Sequence, residues 1–297
     1  MNWQTQLISL YLLICKEYQQ KLQFHIGRIS NYSDLSFTDE EVMTIYMFGI
    51  MNHHYKIKDI YQYTENHLRD WFPNLPSYTA FVQRLNKIAH LFGLLATSLH
   101  SMIPSNVSQD VAYIIDSMPI ILAHMGRRFK AKVAPEIASS NGYCATKKLY
   151  YYGVKLHVMG SYRTGSIPIP QYFGITDAGT ADIRVYEEIS QNLPHESRVF
   201  ADKAYQKGNK AVVDEGNTTL HTPVKKEKGQ KFLDAADKLL SSAISAVRQP
   251  IESFFNWIEE KTKIQIASKV RSYEGLMVHI LGRIDVTFLL MTEKFRS

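Results

Sequence analysis

Three carboxylates stand where a charge is costly unless something uses it. Asp116 interrupts the apolar run YIIDSMPIIL, Asp202 follows the short run SRVF in SRVFADKAY, and Glu252 lies in RQPIESFFNW, four residues after Arg248. A buried carboxylate is normally paired or bound to a metal ion, because taking it out of water alone is expensive. Acid oxygens suit Mg²⁺, which takes near-octahedral oxygen ligands and keeps water and substrate phosphate among them. Two such ions roughly 3.5–4 Å apart activate an attacking oxygen and stabilise a leaving one in phosphodiester chemistry. In that reading Asp116 bridges both ions, and Asp202 and Glu252 each hold one.

Local explanations compete. Asp116 could be a strand-end acid taking neighbouring hydrogen bonds, and Asp202 could pair with Lys203 or serve a turn. Glu252 could be a favourable anion in a first helical turn opened by Pro250. Arg248 shares the face of Glu252 if the helix runs on through Pro250, where it could neutralise the site or grip a phosphate. Glu259, Glu260, Asp177 and Asp182 are rivals for the third position. Asp182 reads instead as the start of its own helix.

Cations gather between residues 127 and 148. Arg127, Arg128, Lys130, Lys132, Lys147 and Lys148 face only Glu136 in that stretch. The segment reads either as a solvated loop or as a phosphate-binding loop whose affinity would depend steeply on salt. Lys155 and His157 alternate on one strand face, near substrate phosphate or as ordinary strand polarity. Lys203, Arg248 and Lys261 complete the cationic set expected to meet DNA.

The elements that must position these groups follow from periodicity. Leu7, Leu10, Tyr11, Ile14 and Tyr18 recur at helical spacing. Thr38 followed by Glu41 is a capping-box pattern. Ser77 is a candidate cap for one long helix through Ile103, and a shorter helix before it stops at Pro73. Residues 1–105 thus read as an all-α domain, either a helix-turn-helix module that touches DNA or a purely structural one. PSNVSQD marks the boundary. Residues 106–297 then read as strands VAYIIDSMPIILA, KLYYYGVKLHVMG and SIPIPQYFGITDAG, the last an edge because of its prolines. A helix capped by Thr180, strand SRVFADKAY, a short helix NKAVVDEG, strand TTLHTPVKK, and helical segments DAADKLLSSAISAV, IESFFNWIEEKTK and SYEGLMVHILGRIDVTFLLMTEKF complete the order. This order fits a ribonuclease-H-like α/β core, a mixed five-stranded sheet with helices on both faces, and by itself also fits other α/β folds. In the former the first and fourth strands are neighbours, which brings Asp116 beside Asp202.

Other chemistries lack their signatures. Cys15 and Cys144 have no pairable or zinc-ligating spacing, which points to a reducing compartment and away from a zinc centre. There is no phosphate-cradling glycine loop and no Gly-x-Ser-x-Gly elbow. The N-terminal apolar stretch is too short to span a bilayer and lacks a leader's basic start, so a cytoplasmic, nucleoid-associated location and no membrane partner are expected. With 297 residues and a net charge of +6, the chain can build a real core and mildly favours a polyanionic partner.

The segments IIDSMPI, YYYGVKLHV, GTADIR, VFADKAY and RQPIESFFNWIEEKTKIQIASKVRS resemble the DDE transposases of bacterial insertion sequences. The resemblance is to the insertion sequence 982-type within the insertion-sequence-4-like group, and FPNLPSYTAFVQRL upstream is similar to that group's N-terminal region. It implies a ribonuclease-H-like core with Asp116, Asp202 and Glu252 as the catalytic, metal-holding triad. It also implies two Mg²⁺ or Mn²⁺ ions, cleavage of double-stranded DNA at element ends, transfer into target DNA, and homo-oligomers on paired ends. The group's Tyr-x-x-Arg-x-x-x-Glu-x-x-x-x-x-x-Lys pattern is kept at Arg248 and Glu252, with Ser245 for the tyrosine and Glu259 for the lysine; Lys261 or Lys263 could substitute. A nuclease that cleaves without joining, and a retired transposase that only binds DNA, are the alternatives.

Overall fold

The computed structural model describes residues 2–27, 35–104, 112–145, 147–208 and 210–295. The boundary motif at 104–110 lies outside them, save Pro104. The chain forms two compact units: Met1–Pro104 with Ile258–Ser297, and Ser105–Trp257. The last forty residues thus belong to the unit of the N-terminal helices.

In the first unit the helices are α1 (Trp3–Gln20), α2 (Asp39–Met51), α3 (Ile57–His67), α4 (Tyr78–Lys87), α5 (Ala89–His100) and α8 (Tyr273–Met291). The α2 helix starts at the Thr38–Glu41 capping box and is buried nearly all round, through Val42, Met43, Ile45, Tyr46, Met47, Phe48 and Ile50. A helix apolar on every side belongs at the centre of its unit. Around it α5 lies along α8, and the Tyr46 and Phe92 rings meet edge to face at 5.6 Å. Gly282 of α8 is required there, because a Cβ would fall 2.5 Å from the Tyr46 ring. The single helix expected from Ser77 to Ile103 is two helices broken at Ile88. The tight turn of a helix-turn-helix is missing between α3 and α4, where residues 68–77 intervene.

The second unit is built on a seven-stranded mixed sheet. Its strands are β1 (Ala112–His124), β2 (Asn141–Cys144), β3 (Leu149–Ser161), β4 (Ile169–Asp177), β5 (Ser197–Phe200), β6 (Val212–Asp214) and β7 (Thr218–His221). Their order is β2-β3-β1-β5-β7-β6, with β4 also paired to β3. Two strands exceed the expected five: β2 is new, and the residues expected as a short helix near 212 form β6. The proline-bearing β4 pairs with β3 only. The helix α6 (Asp182–Ser190) buries Val185, Tyr186 and Ile189 against Ile115, Met159, Val199 and Leu220. It begins without a side-chain cap, so Thr180 does not cap it. The helix α7 (Ala235–Thr262) is one continuous rod with Pro250 inside, which is the second of the two alternatives the sequence left open at that proline. A mid-helix proline removes one backbone bond and crowds the preceding turn, yet burial of Ile251, Phe254, Phe255 and Ile258 just beyond it keeps the rod together. The last turn of α7 belongs to the first unit. Among the described residues no helix is long and apolar enough to cross a membrane.

Candidate active site

Strand pairing brings the first two acids together. β1 and β5 run parallel in the register Ala112↔Arg198, Tyr113↔Val199 and Ile114↔Phe200. Continuing that register by two residues sets Asp116 abreast of Asp202. Asp116 alternates with Ile115, which packs under α6, so the carboxyl points to the opposite face. There Arg248 of α7 meets it: one guanidinium nitrogen lies 2.7 Å from Asp116 Oδ2. The other terminal nitrogen bonds the carboxylate of Glu252, one turn further along the same helix. The continuity of α7 through Pro250 thus sets Arg248 and Glu252 on one face, and it removes the first-turn explanation of Glu252.

Burial disfavours the charged form of both Asp116 and Asp202. Asp116 Oδ1 accepts the Ser117 N–H at 2.8 Å, and Asp202 Oδ1 accepts the Ala204 N–H at 2.7 Å as the cap of a short 3₁₀ turn. Burial pushes the Asp116 carboxyl up to about 7, against the pull of Arg248 and with further push from Asp202 and Asp182. Burial also raises Asp202, opposed by the Ala204 N–H, Arg248 and Lys225. A carboxylate beside another is harder to ionise, which adds to the effect of burial on Asp116. The donors are hard oxygens of the kind Mg²⁺ takes. In donor chemistry the residues fit a divalent ion. They do not form a ready-made cage, since among the described residues no three such groups stand close enough to hold one.

Asp202 and Arg248 line a cleft of about 450 Å³ with Lys203, Lys238, Ser241 and Ser245. Lys238 and Ser241 were not singled out in the sequence; they sit on α7 turns N-terminal to Arg248, and the 238, 241, 245, 248 spacing of three and four residues, which puts them on one helix face, is the signal that could have found them. Asp182 was read as a helix start, and it is one. It also lies near enough to raise both Asp116 and Asp202 electrostatically.

The expected cations divide. Lys155 bonds Asp182 at 2.9 Å and the Thr180 carbonyl at 2.8 Å. His157 is fully buried, bonded to Thr176 Oγ1 at 2.8 Å, and burial lowers it to about 4. A neutral, buried imidazole cannot touch a phosphate, so His157 is corrected from a DNA contact to a support beneath Asp182. Lys155 likewise serves Asp182 first. The 127–148 cations stand at one end of the sheet, where His124 pairs with Tyr151. Arg127, Lys130, Lys132, Lys147 and Lys148 are exposed, and Arg128 lies over the Phe129 and Tyr150 rings at 4.2 and 5.1 Å. Lys261 lies in the last turn of α7, 3.6 Å from Glu260.

Residues 106–272 match the family model described as a transposase DDE domain. No curated protein and no solved structure matches the chain.

Proposed function

The chain belongs to the transposase DDE-domain family, and from that premise we propose that it cuts DNA at the ends of an insertion sequence and joins them to a target. Asp116, Asp202 and Glu252 are its triad, the sheet unit is its ribonuclease-H-like catalytic core, and its subgroup is the insertion sequence 982-type. The observation that carries the reading is the register of β1 and β5, which sets two partly buried acids side by side, with Arg248 tying the third to the first.

Asp116, Asp202 and Glu252 would hold two Mg²⁺ or Mn²⁺ ions. When bound, such ions stabilise the leaving oxygen and make the attacking hydroxyl or water a better nucleophile. Arg248, which lines the cleft, meanwhile ties Asp116 to Glu252. Lys203, Lys238 and Arg248 give the cleft a positive wall against which a scissile phosphate can lie. The exposed cations from Arg127 to Lys148 hold flanking duplex through its phosphates. Two copies acting on paired ends complete the assembly.

A strand-transfer assay with the element's own terminal repeats and Mg²⁺ or Mn²⁺ tests this. Cleaved ends together with joined products are expected. Cleavage without joining would make the protein a hydrolytic nuclease, and binding with neither reaction would make it a retired DNA-binding protein.

A further inference from the structure

The helical unit carries a second cationic site, assembled from both ends of the chain. It is a cavity of about 760 Å³ between the start of α3, the length of α4, and the segment from Lys263 to Ser272 that links α7 to α8. Lys56 and Lys58 come from the first side; Lys263, Lys269 and Arg271 come from the second. Asp59 lines the cavity 3.6 Å from Lys56, and Glu259 and Glu260 lie near its lining residue Tyr55. Among the described residues Lys58, Lys263, Lys269 and Arg271 form no ion pair with a carboxylate, and all four are exposed. Surface cations ordinarily stand among acids of opposite sign. A concave group left uncompensated marks the footprint of a polyanion.

The linking segment is held rigidly. Lys263 ends α7 in the left-handed region, at φ 52°, with its N–H returned to the Glu259 carbonyl at 2.9 Å, a helix-ending turn. Ile264 and Ala267 are buried. Buried His279 bonds the Ile264 carbonyl at 2.8 Å, and Glu259 accepts the Gln265 N–H at 2.9 Å. Arg271 is fixed by the Ser268 and Val270 carbonyls. These cations are therefore presented on a fixed backbone, so little ordering entropy is lost when they bind. Between them the wall is apolar: Ile266 is 59% exposed and Tyr78 40%, with Val82 beside them. A sugar–phosphate backbone offers the matching surface, anionic at each phosphate and apolar at each deoxyribose.

We propose that this cavity is a duplex-DNA backbone site in which Lys58, Lys269 and Arg271 contact phosphates. The inference rests on the reading of the protein as DNA-acting, but it assigns the helical unit's DNA grip to this composite surface and not to a helix-turn-helix. Neither half was legible as basic in sequence, because residues 1–100 balance their charges and the completing cations arrive from beyond residue 262.

The test is fluorescence anisotropy of the full chain with a 30-base-pair duplex, in the absence of divalent metal, over a range of salt. The triple variant Lys58→Gln, Lys269→Gln, Arg271→Gln should bind more weakly, with the slope of log affinity against log salt flatter by about 2–3, roughly 0.9 per lost phosphate contact. In parallel, acetylation of Lys58 and Lys269 in the wild-type protein should be suppressed by the duplex, a readout that needs no variant. An unchanged slope in a folded variant, or unprotected lysines in the DNA-bound wild type, overturns the site. A wild-type chain that does not bind duplex even at low salt would instead overturn the DNA-acting reading itself.

Discussion

Two arginines on long helices, one in each unit, are used in opposite ways. Arg283 of α8 is 3% exposed and meets no carboxylate among the described residues. It bonds the carbonyls of Thr262, His279 and Tyr55 and the Tyr46 hydroxyl, at 2.7–3.1 Å. Thr262 is the last residue of α7, so the guanidinium also answers the negative end of that helix. Arg248 of α7 lies at a cleft and spends its two terminal nitrogens on Asp116 and Glu252. One arginine is satisfied by fixed carbonyls and ties helices together. The other is shared by two acids. A guanidinium satisfied by backbone is architecture; one divided between carboxylates at a cleft holds the groups of a candidate site together.

Substitutions can break that contrast. Asp202→Asn, and equally Asp116→Asn or Glu252→Gln, should lower metal-dependent cleavage by at least about 10³-fold, about 4 kcal/mol of transition-state stabilisation, while leaving duplex binding and the circular dichroism spectrum in place. Near-native turnover in any one variant removes that residue from the triad. Arg283→Met should cost about 3 kcal/mol in urea unfolding, because it strands several buried acceptors; a loss under about 1 kcal/mol would contradict its structural role. Arg248→Gln should invert that pattern, losing on the order of 10²-fold in cleavage with a smaller loss of stability than Arg283→Met, because the carboxyl of Asp116 can take up a proton when its partner is gone.

The smallest expected effect sharpens the contrast from the acid side. Asp285 is buried in α8 with neither carboxylate oxygen bonded, and burial holds its carboxyl well above the ordinary range. An acid whose folded pKa is raised keeps its proton after the unfolded chain has lost it, so its contribution is full below the unfolded pKa and falls as pH rises towards the folded one. Asp285→Asn should therefore raise Tm more at pH 8 than at pH 4, by roughly 2–4 °C for each kcal/mol recovered. A shift equal at both pH values would mean that Asp285 does not titrate in this way.

Much of this was legible in the sequence where the signal is local. The capping box at Thr38, the apolar run around Asp116 and the Arg248–Glu252 spacing each depend on a few adjacent residues. The open choices and the failures came where tertiary burial decides over a local rule. Pro250 left a helix start and a continuing helix both open, and it lies inside α7, where Ile251, Phe254 and Ile258 are buried just beyond it. Residues near 212 read as a helix but complete the sheet by pairing with β7. His157 looked like a strand-surface cation, since alternation alone does not tell which face α6 covers. The cationic cavity of the helical unit escaped notice because its two halves lie some two hundred residues apart.

The most direct test replaces the expected ions with Fe²⁺ and maps where ascorbate and peroxide cut the polypeptide. Cuts should cluster next to residues 116 and 202 and beside Glu252, fade on addition of excess Mg²⁺, and vanish in Asp202→Asn. Cuts confined to other segments, or the same pattern with Asp202→Asn, would contradict the account.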